Sequence, residues 1–176
     1  MVATLIAACI SGCDKSTLLI KEQSSLFSVI EHALLHMADP AGVAIEADTV
    51  LPGPHLGLED FDHKRLDVAL QPMEGGNGGY IHFGPAITGD FLVMTDRELP
   101  VTVTNRNVDG DVAVIKPLEI EQTIGAEEIF NSTESHLIKQ AVLFEARTGG
   151  NILFFGPTDA DTVSVVIEET SHEHED

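Results

Sequence analysis

Arg65-Leu66-Asp67-Val68-Ala69-Leu70-Gln71 sets Leu66, Val68 and Leu70 at every second position. In an extended chain alternate side chains leave on opposite faces, so this pattern predicts a half-buried strand with one apolar face. Runs of the same kind recur downstream: Tyr80–Phe83, Phe91–Thr95, Val101–Thr104 and Val112–Ile115, then Leu118–Ile124, Leu137–Ala146, Ile152–Phe155 and Thr162–Glu168. Turn chemistry stands between them, in Gly75-Gly76-Asn77-Gly78-Gly79, Asp109-Gly110, Gly149-Gly150-Asn151 and Gly156-Pro157. Many short strands at such spacing predict an all-β fold, an antiparallel β-sandwich of jelly-roll type. A βαβ arrangement needs helices between the strands, and that pattern is missing.

Upstream the period changes. From Ser24 or Ser25 as N-cap, Leu26, Phe27, Ile30, Ala33, Leu34 and Met37 recur at three- and four-residue spacing, which predicts one short helix ended by Asp39-Pro40. Val50 to Phe61, with Pro52, Gly53, Pro54 and Gly57, reads as a Pro/Gly-rich crossing arm. The opening MVATLIAACISGC ends in Ile10-Ser11-Gly12-Cys13, which resembles the lipobox of bacterial lipoproteins. No Lys or Arg precedes its apolar stretch, and that stretch is short, so a first β-strand is the preferred reading. The expected division is 1–64 for the N-terminal strand, helix and arm, 65–168 for the sandwich, and 169–176 for an acidic, His-containing tail.

Against 29 Asp plus Glu stand 9 Lys plus Arg, a formal net charge of −20 in 176 residues. With no Lys/Arg cluster to meet phosphates, nucleic acid and anionic membrane surfaces are not expected partners. No run approaches the ~20 apolar residues of a membrane span, so direct membrane insertion is not expected either. Charge spread over the whole surface repels itself unless salt screens it, and the Debye length falls to ~3 Å at 1 M. Few Lys beside many acidic residues resembles proteins of halophilic archaea and their viruses. A chain that is 43% hydrophobic nevertheless has material for a core.

Candidate chemistry is scattered. Asn105-Arg-Asn107-Val-Asp109-Gly110-Asp111 resembles the start of a calcium loop, but the twelfth position, where a bidentate Glu belongs, is Lys116, and the segment reads better as a hairpin turn. His32 and His36 stand one helical turn apart with no acid between them, so HExxH is absent and a helix–sheet boundary pair is expected. His55 and His63 flank Glu59, Asp60 and Asp62, which could act only if the arm folded back into a pocket. His82 is the sole strand histidine, and His172 and His174 form an HxH in the tail. Cys9 and Cys13 are too few for a disulfide framework or a zinc site of their own. Asn131-Ser-Thr133 is a glycosylation sequon that counts only in an exported chain. Phosphate loops, GxSxG and the two His-bearing cupin motifs are absent. The expectation is therefore no catalytic, cofactor-binding or metal-binding residues, no cofactor, and no enzymatic activity.

The stretch Gly89-Asp-Phe-Leu-Val-Met-Thr-Asp-Arg-Glu-Leu-Pro-Val-Thr-Val-Thr-Asn105, followed by Asn151-Ile-Leu-Phe-Phe-Gly-Pro-Thr-Asp159 and Val163–Glu168, is similar to β-sandwich proteins of virus particles. With the size and acidity, it most resembles the small single jelly-roll capsid proteins of haloarchaeal icosahedral viruses, or the cement and decoration proteins of tailed viruses. The resemblance covers roughly residues 65–168. It implies a non-enzymatic virion subunit that associates with copies of itself and with other virion proteins. An alternative is a secreted or surface-anchored binding or adhesion module, which a single Tyr (Tyr80) and no Trp disfavour for stacking sugars. A third is a metal-dependent β-barrel enzyme built from scattered His, Asp and Glu.

Overall fold

The computed structural model describes residues 15–50, 61, 63–109, 112–148 and 150–171. Its elements are helix α1 (Lys15–Met37), β1 (Val43–Glu46), β2 (Leu66–Ala69), β3 (Gln71–Met73), β4 (Gly76–Phe83), β5 (Gly89–Thr95), β6 (Val101–Asp109), β7 (Val112–Pro117), β8 (Gln122–Gly125), helix α2 (Ala126–Thr133), β9 (Gln140–Ala146), β10 (Asn151–Thr158) and β11 (Thr162–Glu169). Two sheets result, ordered β1-β2-β11-β5-β9-β8 and β3-β4-β10-β6-β7. All described pairings are antiparallel except β1 with β2. Setting aside β1, β3 and β8, the remaining strands follow jelly-roll order: β2-β11-β5-β9 faces β4-β10-β6-β7.

The interior is built from the inward positions that the alternation marks. Leu66 and Val68 of β2, Phe91 and Val93 of β5, Phe144 of β9 and Val163, Val165 and Ile167 of β11 meet Ile81 and Phe83 of β4, Val103 of β6, and Leu153 and Phe155 of β10. Phe83 is central: its ring lies 4.3 Å from Phe61, 5.3 Å from Phe91 and 6.3 Å from Phe144, edge-on in each case. Tilted pairs of this kind suit the ring quadrupole and add to the burial of large apolar area.

A second apolar layer covers the outer face of the first sheet. There Leu26, Val29, Ile30, Ala33 and Met37 of α1 pack on Leu92 and Met94 of β5, Ala141 of β9 and Val166 of β11, with Ile124, Ile129 and Ile138 at the side. Strand β5 is thus buried on both faces, which is why Phe91-Leu-Val-Met94 reads as a continuous apolar run.

Four elements depart from the sequence reading as follows. Helix α1 starts at Lys15, upstream of the Ser24-Ser25 cap, because Leu, Lys, Glu and Gln propagate a helix and serine inside one costs little. Helix α2 went unread: its single buried residue, Ile129, gives eight residues too little periodicity. The glycine run lies mostly in β4, since a Cβ on Gly78 would stand 2.8 Å from the Phe155 carbonyl oxygen and one on Gly79 would collide with Ala47. Gly156-Pro157 likewise lies inside β10, joined by a cis peptide where the register with β4 shifts. The proposed first strand and most of the crossing arm lie outside the described residues.

Candidate metal centre

On β11 the outward positions are Ser164, Val166 and Glu168. Val166 sits under the apolar stripe of α1, so the next outward residue emerges where the last turns of that helix cross the strand. Residues i and i+4 share one helix face, which brings His32 and His36 to this point. The third histidine arrives by a different route. Phe61 is fixed in the sandwich interior, and two residues later His63 takes φ 56° before the chain enters β2. A non-glycine residue in the left-handed region costs on the order of 1–3 kcal/mol and persists where its surroundings over-determine it, often at ligand clamps.

These four side chains converge. His32 Nε2 is 3.1 Å from His36 Nε2 and 3.2 Å from His63 Nδ1. Glu168 carboxylate oxygens lie 4.0 Å from His36 Nε2 and 3.7 Å from His63 Nδ1. One donor atom from each residue falls within 4.8 Å of all the others. A tetrahedral ion bound at about 2.0–2.1 Å requires donors roughly 3.3–3.4 Å apart, and the observed separations bracket that edge. In the metal-free state these contacts are hydrogen bonds in which His32 Nε2, if unprotonated, accepts from both neighbours through its single lone pair. An ion uses the lone pairs directly.

Burial is graded across the site. The Glu168 side chain is 4% exposed, that of His36 21% and that of His63 47%, so the carboxylate forms the floor and His63 the solvent side. A carboxylate so deeply placed must be paired or must coordinate a cation. The neighbouring outward positions are also polar and specific. Arg65 donates from Nε and Nη2 to the two oxygens of Asp67 at 3.0 and 3.1 Å, and Ser164 Oγ donates to Asp67 Oδ1 at 2.9 Å. The guanidinium holds the Asp67 carboxyl below the usual range, with burial opposing and the Ser164 bond assisting. Arg65 Nη1 also reaches the Met37 carbonyl at 3.4 Å, tying the end of α1 to β2.

No family model and no curated protein matches this chain. Sequence reasoning treated His32 with His36, and His55 with His63, as separate pairs, and it never weighed Glu168. The signal available was a carboxylate placed directly after Val166-Ile167 on an otherwise buried strand. Of the other candidates, His82 lies half-buried in β4 of the opposite sheet. Asn105 is buried in β6, its amide donating to the Gly150 carbonyl and to Asn151 Oδ1, and Asp109 pairs with Val112 across the expected hairpin. Asn131 is exposed on α2. Cys9, Cys13, His55, Glu59, Asp60, Asp62, His172 and His174 lie outside the described residues.

Proposed function

We propose that this protein binds a divalent transition-metal ion through His32, His36, His63 and Glu168. The observation that carries the reading is the convergence of three imidazole nitrogens and a buried carboxylate within 4.8 Å. Three nitrogens suit zinc, nickel, copper or cobalt, whereas calcium and magnesium call for oxygen ligands throughout. All four corners are filled by the chain, as in structural sites; catalytic zinc keeps one corner for water. On this reading the protein is a metal-binding module whose site resembles structural zinc sites in its ligand count. Titration of metal-stripped protein with Zn²⁺ and Co²⁺, followed by calorimetry and visible absorption, tests this. One equivalent with a tetrahedral cobalt spectrum is expected; no saturable binding, or equal binding of Ca²⁺, defeats the reading.

A second reading is favoured by the jelly-roll strand order, an architecture that serves in viral capsids as well as in lectins and cupins. In it the chain is a virion subunit contacting copies of itself, and the metal site stiffens each copy. Light scattering from about 0.1 to 3 M salt separates the two. Discrete oligomers or shells growing with salt support the subunit, and a monomer throughout removes it.

A further inference from the structure

We infer that the ion acts as a clasp whose occupancy decides whether the end of α1 and the residues entering β2 stay fixed to the sandwich. This rests on the metal reading above and concerns what binding does to the protein. Two attachments of different kind hold the N-terminal layer. The body of α1 is held by apolar contact, with Leu26, Val29, Ile30 and Ala33 buried against the sheet, and this needs no ion. Past Met37 the chain is tied again where β1 pairs with β2 along Val43–Glu46 and Ala47 is buried, but the stretch between Met37 and β1 and the entry to β2 are held more thinly. Phe61 enters the core, Val43 N donates to the Arg65 carbonyl, and Arg65 Nη1 makes its long bond to Met37.

The four donors come from three stretches of chain that are far apart in sequence: a helix, a connecting segment and the last strand. An ion bonded to all of them is a cross-link between those stretches, and a cross-link suppresses the openings that separate them. His63 is the key corner. It stands between the buried Phe61 and β2, it is the most exposed donor, and its left-handed backbone needs a neighbouring contact to hold it.

The test is hydrogen exchange by mass spectrometry on the full chain, with Zn²⁺ and then with chelator, zinc content being measured in parallel. At free zinc about 100 times the dissociation constant, openings that break the site should become about 100-fold rarer. Peptides covering 32–38 and 63–66 should show that slowing, while the β9–β10 hairpin should not change. His63→Gly supplies the control, since glycine adopts φ 56° freely and the donor is lost, while the backbone freedom it adds is the same with zinc and with chelator. With zinc present it should exchange like the chelated wild type. If zinc binds at one equivalent and exchange in those peptides does not change, or if His63→Gly keeps the slow pattern, the clasp is overturned and the binding reading stands. If no zinc binds, the binding reading fails first and the clasp falls with it.

Discussion

Facing inward, β11 carries Val163, Val165 and Ile167, none of them exposed; facing outward, it carries Ser164, Val166 and Glu168. The inward set answers to one requirement, apolar volume packed against Phe83 and its neighbours. Each outward residue answers to a different partner: Ser164 to Asp67 and Asp96, Val166 to α1, Glu168 to the histidines. Damage to the first face should therefore be generic and large, and damage to the second specific and local. Sequence periodicity can announce the first because every inward position has the same chemistry. It cannot announce the second, whose partners are set by the tertiary crossing of α1 over the strand.

The sharpest way to break this division is to compare Phe83→Ala with Glu168→Ala. Truncating Phe83 leaves a cavity among three aromatic rings and should cost about 3–5 kcal/mol of stability, read as a lower denaturant midpoint at unchanged zinc affinity. Glu168→Ala should lower zinc affinity by about 100-fold or more, beyond what loss of an outer-shell partner does, with a smaller change in metal-free stability. If Phe83→Ala weakened zinc binding as much as Glu168→Ala does, the two faces would not be separable.

This also explains what was legible beforehand. Leu66, Val68 and Leu70 announced β2 because the same alternation that patterns the sequence packs the interior. Eight of the strand readings match described strands for the same reason, with boundaries moved by a few residues. The site was illegible as a whole: His32 and His36 were visible as a pair, but His63 joins them only because the chain enters β2 beside β11, next to Glu168. Glu168 looked like the polar end of a strand. Only the crossing of α1 turned that position into a buried floor.

Asp67 tests whether the polar outward positions contribute on their own account. Its carboxyl is held below the ordinary aspartate range, chiefly by the hydrogen bonds from Arg65. A depressed folded value means a stabilisation that is present above the unfolded aspartate pKa, about 3.9, and lost as pH falls through the folded one. Wild type should thus exceed Asp67→Asn in denaturant midpoint at neutral pH, and the gap should close below about pH 4. Because the Asp67 side chain is 38% exposed, the gap should be about 1 kcal/mol or less. A gap independent of pH would mean that Asp67 acts through shape and not through charge.

The smallest effect should have the opposite sign. Glu121 precedes β8, and its carboxyl is pushed above the usual range first by burial, then by Asp90, Glu145 and Glu119. Asp90 and Glu145 face each other across β5 and β9, a like-charge pair that opposes the sheet. A carboxyl raised in the folded state costs stability once ionised, so wild type should lose ground to Glu121→Gln as pH rises through that raised value. At low salt and neutral pH the variant should therefore have the higher denaturant midpoint. At about 1 M salt, where the Debye length is ~3 Å, the share owed to the three neighbouring carboxylates should disappear and only the share owed to burial should remain. An advantage that does not shrink would mean that repulsion is not felt at this cluster. In that case the acidic surface, with its net charge of −20, would give the fold no local reason to prefer high salt.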